Sequence, residues 1–352
     1  MNPLSSTTDP HPVSSISSLS TSIPDSGQIK AVETHHLTHQ YAHLLAVNDL
    51  NMSVYQGDLF GFIGSNGAGK TTTLKILALF LCPTQGTASV CGYDIRTQEE
   101  EVRRRIGYMP DFFGVYKDMS VNEYLDFFGA CYQIPAQKRN QIIRDTLHLV
   151  GLDEKIESLI GGLSRGMQQR LGLARVLIHN PELLLLDEPA SGLDPRARVE
   201  MMQILLKLQK QGKTIIISSH ILSELQTLCN RVAMIEKGKL LYCGPTHGIK
   251  FSQESTRDFL VTLGGDIDSA LRALEKIPQF LKAEPLNSEN TNPDLKKEYG
   301  ASSLKITLST AGADPSAIAE CLVKNGTKLY SLTEKESSLE QFFLRLTHGK
   351  TQ

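Results

Sequence analysis

Nine residues constrain this chain more than any others: Gly64 to Thr72, reading GSNGAGKTT. Gly64, four intervening residues, then Gly69, Lys70 and Thr71 satisfy the phosphate-loop spacing G-x-x-x-x-G-K-[ST]. Glycine reaches backbone conformations that other residues avoid, so the N–H groups of Ser65, Asn66, Gly67, Ala68 and their neighbours can converge on phosphate oxygens. Lys70 supplies a mobile ammonium for β- and γ-phosphates, and the Thr71 hydroxyl, followed by Thr72, can complete a Mg²⁺ shell. The flanks suit the motif. Leu59–Ile63 reads as a short buried strand, and the residues after Thr72 start a helix whose N-terminus favours anions.

The remaining chain must house that loop in one large domain with a smaller one, since 352 residues exceed what one core usually serves. A net charge of −2 gives no electrostatic reason to expect nucleic acid. Six cysteines lie scattered without a C-x-x-C pair, the pattern of a reducing compartment with neither a disulfide framework nor a zinc site. The longest apolar runs, such as 183–186 and 215–217, fall far short of the roughly 18 residues that suggest a membrane span. The chain is therefore expected not to cross a membrane itself.

In chain order, residues 1–28 are rich in Ser, Thr and Pro and read as a disordered tail. Strands are expected at 29–34, 50–54, 88–91 and 106–109, with a turn at Gly57-Asp58 and a helix from Thr72 to about Phe80. The charged stretch 98–105 reads as a solvated helical turn. From about 112 to 165 the apolar spacing is helical: Val121, Tyr124, Leu125 and Phe128 share one face, and Ile142, Ile143, Leu147 and Val150 another. Ser120 with Glu123 forms a capping box. Strands resume at 183–186, 214–218 and 232–236, separated by helices of 12 to 16 residues, which implies a parallel sheet covered by helices. After a Gly244-Pro245 turn, a small α+β domain over 246–352 is predicted. Its strands are expected at 259–263, 304–308 and 328–331, its helices at 266–277 and 317–325, and a loop at 284–300.

The strand Leu183–Leu186 runs into Asp187 and Glu188. Ligands of parallel sheets gather at the carboxyl ends of strands, which brings this pair toward the phosphate loop. Asp187 can hold Mg²⁺ directly or through water, and Glu188 can polarise an attacking water as general base.

These residues together resemble the ATP-binding subunit of an ATP-binding-cassette (ABC) transporter, over roughly residues 29–245. In that family a second motif, usually LSGGQ, caps the γ-phosphate of ATP held by the opposite subunit. Here it reads Leu163-Ser164-Arg165-Gly166-Met167. Arg165 and Met167 depart from the common form, while Ser164 and Gly166, the contacting positions, remain. Ser191-Gly192-Leu193-Asp194 resembles the loop linking the two sites of the family's dimer. His220 resembles the switch histidine at the γ-phosphate, and Tyr41 occupies the place of the aromatic that stacks on adenine. Taken alone, a His after a strand is more often structural and a lone Tyr more often a packing residue. One position breaks the pattern: after Ile106–Pro110 the family carries Gln, and this chain has Asp111. An Asp offers Mg²⁺ an oxygen but no donor, so Asp111 is either a metal-side ligand that tunes coupling or a loop acid facing solvent.

The resemblance implies an α/β fold, a P-loop NTPase core with an inserted α-helical subdomain plus a small C-terminal α+β domain. It implies ATP and Mg²⁺ as cofactors and an ATP hydrolase that works as a homodimer or heterodimer of ATPase subunits. It further implies a separate transmembrane permease subunit docking near 111–130 and a peripheral place on the cytoplasmic side of a membrane. The ending, residues 337–347 with Leu339, Phe342, Phe343 and Leu346 at helical spacing, resembles the exporter branch that includes drug, polysaccharide and sodium efflux systems. Two alternatives stand beside export: an importer ATPase subunit, and a soluble cassette ATPase acting on ribosomes or DNA.

Overall fold

The computed structural model describes residues 27–112, 114–246, 256–286, 302–309, 314–334, 339, 340, 343 and 346. They divide into two compact units, one running to Ile221 and resuming over Thr227–Gly244, the other combining Leu222–Gln226 with residues from Pro245 onward.

The first unit opens with a hairpin of β1 (Lys30–Tyr41) and β2 (Leu44–Tyr55), then β3 (Leu59–Ile63) and α1 (Lys70–Leu77). Next come β4 (Gln85–Val90), β5 (Tyr93–Asp94), α2 (Glu99–Arg105) and β6 (Ile106–Met109). β1, β2, β4 and β5 form an antiparallel sheet in the order β2-β1-β4-β5. This sheet is larger than the sequence suggested, because its hydrophobic alternation is broken. His36 and Asp49 both take positive φ, and the β1–β2 register shifts between Thr34 and Leu37. α2 is also less solvated than expected, since Val102 is fully buried beneath its charged residues.

After β6 the chain becomes helical, with α3 (Val121–Cys131), α4 (Ala136–Val150) and α5 (Arg165–Leu177). The capping box forms as expected: Glu123 N donates to Ser120 Oγ at 3.2 Å, and Ser120 N donates to Glu123 Oε2 at 2.7 Å. Val121, Tyr124 and Leu125 of α3 and Ile143, Leu147 and Val150 of α4 are buried, with Phe128 and Ile142 partly so.

The sheet then resumes with β7 (Leu183–Asp187), α6 (Pro195–Lys210), β8 (Thr214–Ser219), the short α7 (Leu222–Leu228), β9 (Arg231–Glu236) and β10 (Lys239–Pro245). Six strands lie in the order β10-β9-β3-β8-β7-β6. The pairs β3–β8, β3–β9, β7–β8 and β6–β7 are parallel. β3, β7 and β8 are buried at every residue, which explains their unbroken apolar runs. α7 has seven residues, fewer than predicted, and Gly244-Pro245 closes a strand rather than forming a turn.

In the second unit, β11 (Thr256–Gly264), α8 (Ile267–Leu274), β12 (Phe280–Pro285), β13 (Ser302–Ser309), α9 (Pro315–Lys324) and β14 (Lys328–Glu334) follow. The sheet is antiparallel, in the order β12-β13-β11-β14. Phe259, Val261, Leu304 and Ile306 from the strands pack with Leu274 of α8 and Ile318 and Leu322 of α9. β12 corrects the expected loop at its start, because Glu284 pairs with Lys305 and Pro285 with Leu304. An edge strand with half-exposed residues offers no alternation to read, and proline is tolerated there. Residues 1–26 of the expected tail, residues 287–300 of the expected loop and Phe342 lie outside the described residues. None of the six cysteines forms a disulfide. Among the described residues no helix is long and apolar enough to cross a membrane.

Candidate nucleotide site

β3 delivers the chain into the loop, and α1 begins at Lys70, so the loop is held between a buried strand and a helix start. Close backbone approach explains two glycines. A Cβ on Gly64 would stand 2.4 Å from the Ile235 carbonyl oxygen, and one on Gly69, which has φ of 108°, would stand 2.4 Å from that of Ala46. Ser65, Asn66 and Gly67 are exposed, and Ala68 is buried. Lys70 is only 6% exposed. Its ammonium folds back on its own loop, donating to Gly64 O at 2.7 Å and Ser65 O at 3.2 Å. It also stands 3.8 Å from Glu188 Oε1. Burial lowers the Lys70 pKa, while the Glu188 and Asp187 carboxylates oppose that shift.

The parallel register brings the carboxylates to this loop. β8 lies between β3 and β7, with Ile63 opposite Ser219 and Asp187 opposite Ser218. Asp187 is buried and accepts a 2.6 Å hydrogen bond from Ser218 Oγ. Glu188 takes the left-handed backbone with φ of 48°. Its N–H donates to the same Ser218 Oγ at 2.9 Å, and its carbonyl accepts from Ser191 N at 2.9 Å. One carboxylate oxygen faces Lys70, and the other lies 2.9 Å from His220 Nδ1. Lys70, Asp187, Glu188 and His220 thus form one cluster. Ser218 belongs to it and was not singled out from sequence; the only signal was a hydroxyl ending the apolar run Ile215–Ile217.

Among the described residues, Ser164, Gly166, Asp194, Tyr41 and Asp111 make no hydrogen bond or ion pair to this cluster. Ser164 caps α5, accepting from Met167 N at 3.3 Å, and Asp194 caps α6, accepting from Ala197 N at 2.9 Å. Gly166 is buried against Ala197, which a Cβ would approach to 2.8 Å. Arg165 reaches across to donate to Ser191 O at 3.2 Å, and its guanidinium covers Gly192. Tyr41 ends β1, 41% exposed, with its ring edge-on to His39 at 4.5 Å. Asp111 sits in an exposed bend after β6. Burial first, then the Asp187 and Asp111 charges, push the Tyr108 phenol well above its ordinary value, and its hydroxyl has no hydrogen-bond partner.

No group of three His, Cys, Asp or Glu side chains forms a metal cage among the described residues. The donor set is of another kind. Thr71 is an exposed residue that carries a hydroxyl, and Asp187 offers a second carboxylate oxygen, hard donors of the type Mg²⁺ takes together with phosphate oxygens and water. The residues fit that ion.

A family model described as ABC transporter matches residues 47–191. Among curated proteins, the chain is 33% identical over 324 residues to the Nod factor export ATP-binding protein I of Burkholderia lata, covering 92% of this chain and 99% of that one. It is 36% identical over 321 residues to the bacitracin transport ATP-binding protein BcrA of Bacillus licheniformis, covering 91% and 98%. Among solved structures, an ATP-binding subunit of an ABC transporter aligns with a TM-score of 0.56 at 26% identity, over 61% of this chain and 90% of that one. Another, cbiO1 from Clostridium perfringens, part of the ABC transporter complex cbiONQ, aligns at 0.57 and 26% over 62% and 90%. The phosphate loop, the paired carboxylates and this extended similarity lead to one conclusion: the chain belongs to the ATP-binding subunits of ABC transporters, ATPases that bind and hydrolyse ATP.

Proposed function

We propose that this ATPase drives export through a separate transmembrane permease subunit, closing head to tail with a second ATPase subunit, identical or not, around two Mg-ATP. The observation that carries the reading is the split of the expected site. Lys70, Asp187, Glu188 and His220 cluster, whereas Ser164 and Gly166 sit at a helix start with no hydrogen bond or ion pair to them among the described residues. A helix start with a hydroxyl and a bare glycine N–H suits an anion, here the γ-phosphate of ATP on the opposite subunit. Export is supported by relatives named for Nod factor export and bacitracin transport, which the chain covers almost end to end.

Within the site, Lys70 exchanges the carbonyls of Gly64 and Ser65 for phosphate oxygens, and the loop N–H groups from Ser65 to Thr72 orient the chain of phosphates. Tyr41 stacks on adenine, and Asp194 holds the loop that joins the two sites. Mg²⁺, held by Thr71 and Asp187, screens phosphate charge when bound. Release of Lys70 frees one oxygen of Glu188 to accept the proton of the attacking water. His220 keeps the other oxygen fixed. Asp111 lies on the metal side and passes nucleotide state to the permease. Phe112, 87% exposed, and the exposed Tyr116 and Phe127 give that neighbourhood an apolar docking face. Residues 29–245 form the ATPase domain and 246–352 an accessory domain, on the cytoplasmic face of the membrane.

Glu188→Gln tests the core of the reading. Turnover should fall about 10²- to 10⁴-fold while ATP binding persists. The variant should elute as a dimer with ATP on gel filtration; wild-type turnover would remove Glu188 as base, and a monomer with ATP would remove the closed dimer. For Asp111, unchanged rate and Mg²⁺ dependence in both Asp111→Asn and Asp111→Gln would sink the metal-side role.

A further inference from the structure

We propose that Ser218 is the positioning residue of the hydrolytic site, one hydroxyl that sets both carboxylates; the idea rests on the reading of Glu188 as base. Ser218 has no exposure, so it touches neither nucleotide nor water, and its neighbours Ile215 to Ile217 are apolar. A buried hydroxyl at such a place must spend its hydrogen-bonding capacity within the protein. It does so on two consecutive residues. The O–H donates to Asp187 Oδ1 at 2.6 Å, and the oxygen accepts from Glu188 N at 2.9 Å.

The second bond falls where the backbone departs from the sheet. β7 and its pairing with β8 end at Asp187 opposite Ser218, and Glu188 then turns into the left-handed region. Side chains other than glycine avoid that conformation, and it persists only where neighbours hold it. Glu188 N no longer has a ladder partner, and Ser218 Oγ replaces it. The turn aims the Glu188 side chain at Lys70 and His220 instead of along the strand. Without the hydroxyl, Glu188 relaxes toward extended backbone and its carboxylate leaves the His220 contact. Asp187, meanwhile, loses the donor that orients its carboxylate. The expected loss is therefore in turnover, not in nucleotide affinity.

The test is a mutant cycle in the full chain, with kcat, KM and ATP affinity measured for Ser218→Ala, Ser218→Thr, Glu188→Gln and the Ser218→Ala/Glu188→Gln double variant. Ser218→Ala should lower kcat about 10- to 100-fold, the scale of a slightly misplaced catalytic group, with ATP affinity within about twofold of wild type. Ser218→Thr, which keeps the hydroxyl and suits a strand, should recover most of the loss. In the Glu188→Gln background, Ser218→Ala should cost clearly less than it does in wild type, because the part of its effect that runs through Glu188 is already gone. Losses that multiply, or an equal loss in Ser218→Thr and Ser218→Ala, would overturn the proposal. Intact turnover in Ser218→Ala beside a loss in Glu188→Gln defeats the proposal alone. Intact turnover in Glu188→Gln defeats the base assignment with it.

Discussion

The two units pack by the same rule and differ in where they put charge. Each lays helices against a sheet whose core is aliphatic and aromatic. In the second unit the ion pairs stay near the surface. Arg257 bonds Glu334 at 2.7 Å, and Lys305 meets Asp258 at 2.8 Å. In the first unit, Lys70 at the start of α1 and Asp187 at the end of β7 are buried, and glycines of the phosphate loop bring backbone against backbone. A buried charge without full satisfaction is costly, so a cluster of this kind adds little to stability. Sheet and helix packing thus supplies a scaffold in both units, and among the described residues only the first buries charged side chains on it.

The sharpest way to break that contrast is a pair of glycine changes. Gly69→Ala places a Cβ against Ala46 O and keeps the strained φ, so the combined penalty on stability and ATP affinity should be at least about 3 kcal/mol. Gly326→Ala meets nothing within 4 Å and suffers only its φ of 78°; about 1 to 2 kcal/mol of stability should go, with ATP titrations unchanged. Equal loss of ATP binding in both would abolish the distinction. Core truncations come next. Leu185→Ala in β7 and Ile306→Ala in β13 both empty fully buried sites and should cost about 2 to 5 kcal/mol in denaturant melts. Only Leu185→Ala should also weaken ATP binding, which a fluorescent-nucleotide titration reads directly.

Two smaller effects refine the picture. Arg165→Ala removes the bond to Ser191 O, and a hydrogen bond from a charged group at an exposed site is worth about 1 kcal/mol. Turnover should drop by about two- to fivefold, while the same change at Arg257 leaves it unaltered. The smallest is a pH effect in the second unit. The side chain of Ser269, then the N–H groups of Asp268 and Ser269, hold the Asp266 carboxyl below its ordinary pKa. A depressed folded value means that this stabilisation is present above the unfolded carboxyl pKa of about 3.9 and is lost as pH falls through the folded value. Asp266→Asn should flatten that acid-side decline in the melting midpoint between pH 5 and 2; an unchanged slope would remove the cap as its source.

The parallel sheet was legible because β3, β7 and β8 are buried on both faces and read as continuous apolar runs. Most of the proposed site residues could be named from sequence because phosphate chemistry demands particular residue types at short spacing, as in Gly64 to Thr72. What escaped was set by tertiary pairing. The antiparallel sheet hid behind the paired irregularity of His36 and Asp49, and β12 behind its exposure as an edge. Ser218 escaped for a related reason. Its role depends on lying opposite Asp187 across a ladder, and nothing in a one-dimensional pattern states which strand will be the neighbour. Arg165 was visible only as a departure from the usual motif, and its contact with the Ser191-Gly192 loop needed the fold.

The chain passes between the two units three times, at residues 221–222, 226–227 and 244–245. The five residues lent to the second unit follow His220 directly, and one of them, Gln226, receives the N–H of Leu339 at 3.1 Å. The ATPase unit is accordingly not a detachable cassette in the genetic sense. A gene cut after codon 244 would still encode Leu222–Gln226 yet delete the rest of the unit to which they belong, so shuffling or minimising this protein must treat the C-terminal unit as part of the segment that carries His220.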